Sequence, residues 1–294
     1  MNQHANRRFL NNVFKGENAS RYYTLVLGGV VIYWLLFSYI TMVVTQGILA
    51  ALGFHELIVR MVGEAMPFAV VMGWLLLTLS RWHGRTWRSL INAERTINYR
   101  RVAQGFCVWG LQLAIGSGLD IAANPEDYRL QFQPGAWLLL LVLSLCLVPI
   151  QTSAEELLYR GYLMQALRLL TKRPFWLIAI TSLAFAIPHF GNPEMARGAF
   201  IWGALNYFAW GVVVAVITLK DNGLELALGL HAANNLFGYL FITTPDSVVQ
   251  SPAIWIYEQT YDPMLGFFGL LIAGAIFYAI FFGGIPRPRI SDRT

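Results

Sequence analysis

The sequence predicts an all-α fold: a polytopic transmembrane helical bundle of about eight spans, with N- and C-termini in the cytosol. Three observations carry this expectation. The 294 residues are 56% hydrophobic and only 13% charged, too apolar and too charge-poor for an ordinary soluble domain. Apolar runs of about 20 residues, the length that crosses a bilayer core, recur along the chain. The cationic side chains are also distributed unevenly. With the N-terminus inside, seventeen of the 21 lysines and arginines fall in inner segments. Only Arg60, Arg129 and Arg197 fall in outer segments, and Arg160 lies within a span. Cytosolic loops of membrane proteins carry this excess. The net charge of +5 therefore needs no nucleic-acid partner to explain it.

The elements follow in order. Residues 1–21 form a basic tail with Arg7, Arg8, Lys15 and Arg21. The tail lacks the short apolar stretch and small-residue cleavage site of a signal peptide. The first span covers residues 23–49. An amphipathic link, 52–60, leads to the second span, 61–80, which carries Glu64. Residues 81–101 hold six arginines and one acid, Glu94. The third span, 102–122, has Asp120 near its end, and 123–135 is a polar loop. The fourth element, 136–170, is longer than one crossing needs, so a bend or break at Pro149 is expected. A turn at 171–174 leads to the fifth span, 175–190, and a loop at 191–198 to the sixth, 199–219. A turn at 220–223 precedes the seventh span, 224–242. A loop with Pro245, Pro252 and Pro263 leads to the eighth, 264–282. The chain divides into N-terminal spans with a basic loop (1–135), a chemistry-bearing core (136–243) and a C-terminal span with its tail (244–294). Cys107 and Cys146 lie in apolar runs and are expected to be small buried hydrophobes.

The charges of the fourth element stand out. Ser153-Ala154-Glu155-Glu156-Leu157-Leu158-Tyr159-Arg160 places two carboxylates and a guanidinium between apolar runs, where ionisable groups are costly and mark function by default. Ser153 reads as a cap or start residue of the helix that carries them. Glu155 and Glu156 differ by about 100° around a helix and cannot face the same way. Glu156 and Arg160 are spaced for an ion pair, which leaves Glu155 for chemistry. Arg160 could instead pair with Glu155. Glu155 and His189 are equidistant from the turn at 171–174, so an antiparallel hairpin would bring them to one depth as an acid–base pair. On the seventh span, His231 and Asn235 share one face, and both can donate hydrogen bonds to a developing oxyanion.

Taken together, Glu155-Glu156-x-x-x-Arg160, Phe185-x-x-x-His189 and His231-x-x-x-Asn235 resemble the three motifs of the type II CAAX prenyl protease and bacteriocin-processing family. This is the CPBP or ABI family of intramembrane proteases, with its Rce1-like members. The resemblance covers residues 136–243. It implies an intramembrane endopeptidase in which Glu155 and His189 activate a water. His231 and Asn235 would stabilise the oxyanion, and Glu156 with Arg160 would support the first motif. It also implies a peptide or membrane-protein substrate and the lipid bilayer as surroundings; the compact chain without targeting extensions leads us to expect a prokaryotic cell membrane.

The expected enzyme uses no cofactor. The closest rival is a zinc-dependent membrane protease, with Glu155, His189 and His231 as a two-His, one-carboxylate ligand set. No His-Glu-x-x-His helix accompanies it. A serine nucleophile is poorly supported, since no Gly-x-Ser-x-Gly occurs. A non-catalytic immunity or regulatory protein, or a transporter relaying protons through its buried acids, remains an alternative of a different class.

Overall fold

The computed structural model describes residues 8–94, 96–192, 195, 200–245, 247, 251–259 and 262–283. It is a polytopic bundle of helices. In chain order these are α1 (Ser20–Leu36), α2 (Ser38–Ala51), α3 (Glu56–His83), α4 (Tyr99–Ala123), α5 (Pro134–Glu156), α6 (Met164–Leu170), α7 (Pro174–Ala186), α8 (Phe200–Asp221), α9 (Glu225–Leu240) and α10 (Pro263–Phe282). A π-helical turn, Leu157–Leu163, joins α5 to α6 in one 37-residue rod. A 3₁₀ turn, Ile187–Gly191, extends α7.

Among the described residues, six of these rods are long and apolar enough to cross a membrane. The chain is a multi-pass membrane protein. The two remaining expected spans have a different form. The first is a broken pair: α1 and α2 meet at a 57° bend. Phe37 leaves helical geometry there, and the Ser38 hydroxyl donates to Trp34 O at 2.6 Å. Such back-bonding competes with the helix ladder and bends it. The seventh is α9, a helix of only 16 residues that is buried along much of its length. It sits inside the bundle, so it need not match the bilayer.

Several expectations of the sequence need correction. The fourth element does not break at Pro149, through which α5 continues. Packing against α3 and α9 on its flanks keeps the rod going despite the lost N–H. Its departure from α geometry comes eight residues later, at the π turn. Ser153 is therefore interior to α5, not a cap. Cys107 and Cys146 are exposed: on a membrane protein the outer surface is itself apolar, so a small hydrophobe need not be buried. The segments read as plain loops also contribute a three-stranded sheet. Strands β1 (Tyr128–Leu130), β2 (Ile242–Thr243) and β3 (Trp255–Tyr257) lie in the order β1-β3-β2. β1 pairs antiparallel with β3 in the register Tyr128↔Tyr257, and β2 runs parallel to β3. Arg129 and Glu258 form an ion pair across it, and the Tyr128 hydroxyl donates to Asp120 at the end of α4. Arg7 and Arg197 lie outside the described residues.

The packing that positions the site is the crossing of α4 with α9. A Cβ on Gly105 would meet Leu226 O of α9, and one on Gly229 would meet Val102 O and Phe106 N of α4. Each helix thus offers a glycine to the other's backbone. In an apolar medium, close packing of this kind replaces the hydrophobic drive that holds helices together in water. On the other flank, Gly211 of α8 lies against Ser182 of α7.

Candidate active site

The site starts from the end of α5. Its last two residues, Glu155 and Glu156, are both buried but face different surroundings, as the helical angle between neighbours requires. Glu156 points into the protein. Its Oε1 accepts from Arg160 Nη1 at 2.9 Å, and both side chains are fully buried. Arg160 uses its planar fork further. Nη2 donates to Gly211 O at 3.3 Å, and the guanidinium lies over the Phe185 ring, 4.6 Å from its centre. Gly211 leaves room for the α7–α8 contact at the same residue whose carbonyl receives the guanidinium.

His231, two residues beyond Gly229 on α9, reaches the same acid. Its Nδ1 lies 2.7 Å from Glu156 Oε1. Since that oxygen belongs to a carboxylate held by Arg160, Nδ1 carries the proton and donates. The opposite nitrogen, Nε2, stands 3.7 Å from Glu155 Oε2. That is too long for a direct hydrogen bond, and a separation of this kind is one a water can bridge. The Trp210 and Phe185 rings pack edge-on against the imidazole.

His189 is placed by the 3₁₀ turn that closes α7. Its Nδ1 donates to Phe185 O at 2.8 Å, which explains the four-residue spacing of that motif and leaves Nε2 as an acceptor. The ring is held between Phe185, with centres 4.6 Å apart, and Tyr207 of α8, at 4.3 Å.

Glu155, His189, His231, Asn234 and Asn235 all line one cavity of about 1880 Å³. That exceeds the range of roughly 300–1,000 Å³ typical of small-molecule pockets. Much of its wall is apolar, from α1, α2, α3, α8 and α10.

The structure therefore brings all four expected site residues to one cavity, and joins Glu156 to Arg160 as the spacing requires. The pairings differ from the expectation in one respect. The imidazole within ion-pair distance of Glu155 is that of His231, not His189, and His231 also binds Glu156. The two histidines are thus not divided cleanly between water and oxyanion. The zinc alternative needs Glu155, His189 and His231 as joint ligands. Among the described residues, no three His, Cys, Asp or Glu side chains are gathered so that they could hold a metal ion. Sequence reasoning gave no role to three further cavity residues. Glu64 of α3 lines it with a buried Oε2 that has no hydrogen-bond partner among the described residues. Tyr207 and Trp109 also line it. Of these, only Glu64 carried a signal, as an acid inside a span.

Comparison with known proteins finds a family match over part of the chain. Residues 134–237 match the model of the family described as type II CAAX prenyl endopeptidase Rce1-like. Glu155, Glu156, Arg160, Phe185, His189, His231 and Asn235 all fall within that stretch. The chain is also 41% identical over 165 residues to the uncharacterized protein YyaK of Bacillus subtilis (strain 168). The aligned part covers 56% of this chain and 55% of that protein, so the chain spans about half the length of the curated relative it matches. No solved structure matches.

Proposed function

We propose that this chain is an intramembrane endopeptidase of the CAAX type, hydrolysing peptide bonds within or near a prokaryotic cell membrane, with both termini cytosolic. The observation that carries the reading is the convergence of the Glu155 carboxylate, the His189 and His231 imidazoles and the Asn235 side-chain amide on a single cavity inside the bundle. Support also comes from the family match over the residues that build it.

The chemistry follows from these side chains. Glu155 takes a proton from a water held between it and an imidazole, and the water oxygen bonds to the substrate carbonyl carbon. His189, with Nε2 as acceptor, helps to orient that water. The carbonyl oxygen gains negative charge and is met by the amide hydrogens of Asn235; His231, whose Nδ1 proton is committed to Glu156, adds a donor there only as an imidazolium that also carries a proton on Nε2. The proton held by Glu155 then passes to the amide nitrogen as the C–N bond breaks, giving a new carboxylate and a free amine. Glu156 and Arg160 keep the His231 imidazole in one orientation and take no part in bond making. Polar groups shielded from bulk water act strongly on developing charge.

The test uses full-length protein in detergent. Its substrates are an internally quenched peptide with an S-prenylated cysteine three residues before a free carboxyl terminus, and the same peptide without the prenyl group. Cleavage by the wild type, lost in Glu155→Gln and His189→Ala, is expected. Cleavage that persists in both variants, or none of either peptide by the wild type, overturns the reading.

A further inference from the structure

Trp109 of α4 lies outside the matched residues 134–237, and as an apolar-span aromatic it would pass for packing. It is nearly fully buried and wedged edge-on between Trp210 and Phe277, with ring centres 5.6 and 5.8 Å away. The glycine crossing of α4 and α9 sets it one turn beyond Gly105, within reach of Asn234.

An indole nitrogen only donates. Trp109 Nε1 lies 3.3 Å from Asn234 Oδ1, which decides how that amide is turned: the reverse would set two donors against each other. The Asn234 nitrogen then faces the next residue, where Nδ2 lies 3.2 Å from Asn235 Oδ1. Asn235 thus has its oxygen occupied by a donor. Its own NH₂ has no partner among the described residues, on a side chain that lines the cavity.

We infer that Trp109 is a positioning residue: through Asn234 it turns the Asn235 side chain so that its nitrogen, rather than its oxygen, faces the cavity. This rests on the hydrolytic reading above, where Asn235 must donate to an oxyanion. An amide turned the other way would offer that charge an acceptor.

Two measurements on the full chain separate the relay from the activity. In protein labelled with ¹⁵N-tryptophan, the indole N–H resonance that disappears in Trp109→Phe is the Trp109 signal. It should shift in Asn234→Leu, and an unmoved signal overturns the inference whatever the activity. In the quenched-peptide assay, Trp109→Phe keeps the ring and loses the donor. It should lower kcat about five- to tenfold, as for one lost hydrogen bond felt in the transition state, with KM unchanged. In an Asn235→Ala background the same substitution should lower kcat no further. A full additional loss there, or a change in KM alone, overturns the positioning role. If Asn235→Ala itself has no effect, the oxyanion assignment falls and takes this role with it, while the resonance still reports the hydrogen bond.

Discussion

His231 Nδ1 and Glu156 Oε1 are 2.7 Å apart, and that one oxygen also accepts from Arg160. A histidine expected to work with the substrate is thus anchored to the acid that does not face it. The adjacent carboxylates thus have different surroundings: Glu156 is tied to Arg160 and His231, while Glu155 lines the cavity and is the acid that reacts in the proposed mechanism.

The first prediction separates the two acids. Glu156→Ala leaves Arg160 buried without its counter-charge, and breaking such a pair costs about 3–5 kcal/mol. Glu155→Gln removes only a 3.7 Å approach to His231 and should change stability by less than about 1 kcal/mol. Thermal unfolding in detergent, read by tryptophan fluorescence, should show a large drop for the first and little for the second. Peptide cleavage should be lost in both.

Arg160→Lys should fail as a conservative replacement. The guanidinium serves Glu156, Gly211 O and the Phe185 ring at once, and a single ammonium cannot match that fork. A loss of about 1–3 kcal/mol is expected for the hydrogen bond left unmade. Equal melting of variant and wild type would show that the fork is not needed.

His189 should matter for rate and not for folding. His189→Gln is expected to lower cleavage by about 10²–10⁴, the usual share of a positioned base or acid, with unchanged unfolding. Phe185→Ala should lower both, because its ring also lies under Arg160.

The α4–α9 crossing predicts a contrast between two glycines of one helix. Gly105→Ala drives a Cβ into the α9 backbone and should destabilise by about 1–3 kcal/mol or more. Gly118→Ala meets nothing within 4 Å. It should be neutral or stabilising by up to about 1 kcal/mol through helix propensity. Similar melting of the two variants would remove the crossing as a determinant of stability.

The sheet carries a pH prediction. Burial first, and then the hydrogen bond to Asp120, raise Tyr128 above its ordinary value of 10.0. A group with a raised folded pKa gives its full stabilisation below the unfolded value, and loses it as pH climbs toward the folded one. Tyr128→Phe should therefore flatten the decline of stability above pH 10.0. An identical alkaline limb in the variant would sink this assignment.

The bundle was legible because apolar run length is a direct record of bilayer thickness. The vicinal acids, Arg160 and the His-x-x-x-Asn stripe were legible because charge inside an apolar span has few bland explanations. What stayed hidden depends on pairings across distant elements. Three-residue strands such as Tyr128–Leu130 show too little alternation to announce themselves. That His231 rather than His189 approaches Glu155 is set by the close α4–α9 crossing, not by spacing along the chain. Trp109 looked like any other span aromatic, since a single indole N–H leaves no trace in hydropathy.

The bend between α1 and α2 has a further consequence. Trp34, Ser38, Tyr39 and Met42, on both arms of the elbow, front the cavity, while neighbouring Leu36 and Ile40 are open to the outside. Unlike the straight rods, a hinged wall can swing without unravelling its ladder. The elbow is thus a place in this wall where the helical ladder is already interrupted beside the cavity.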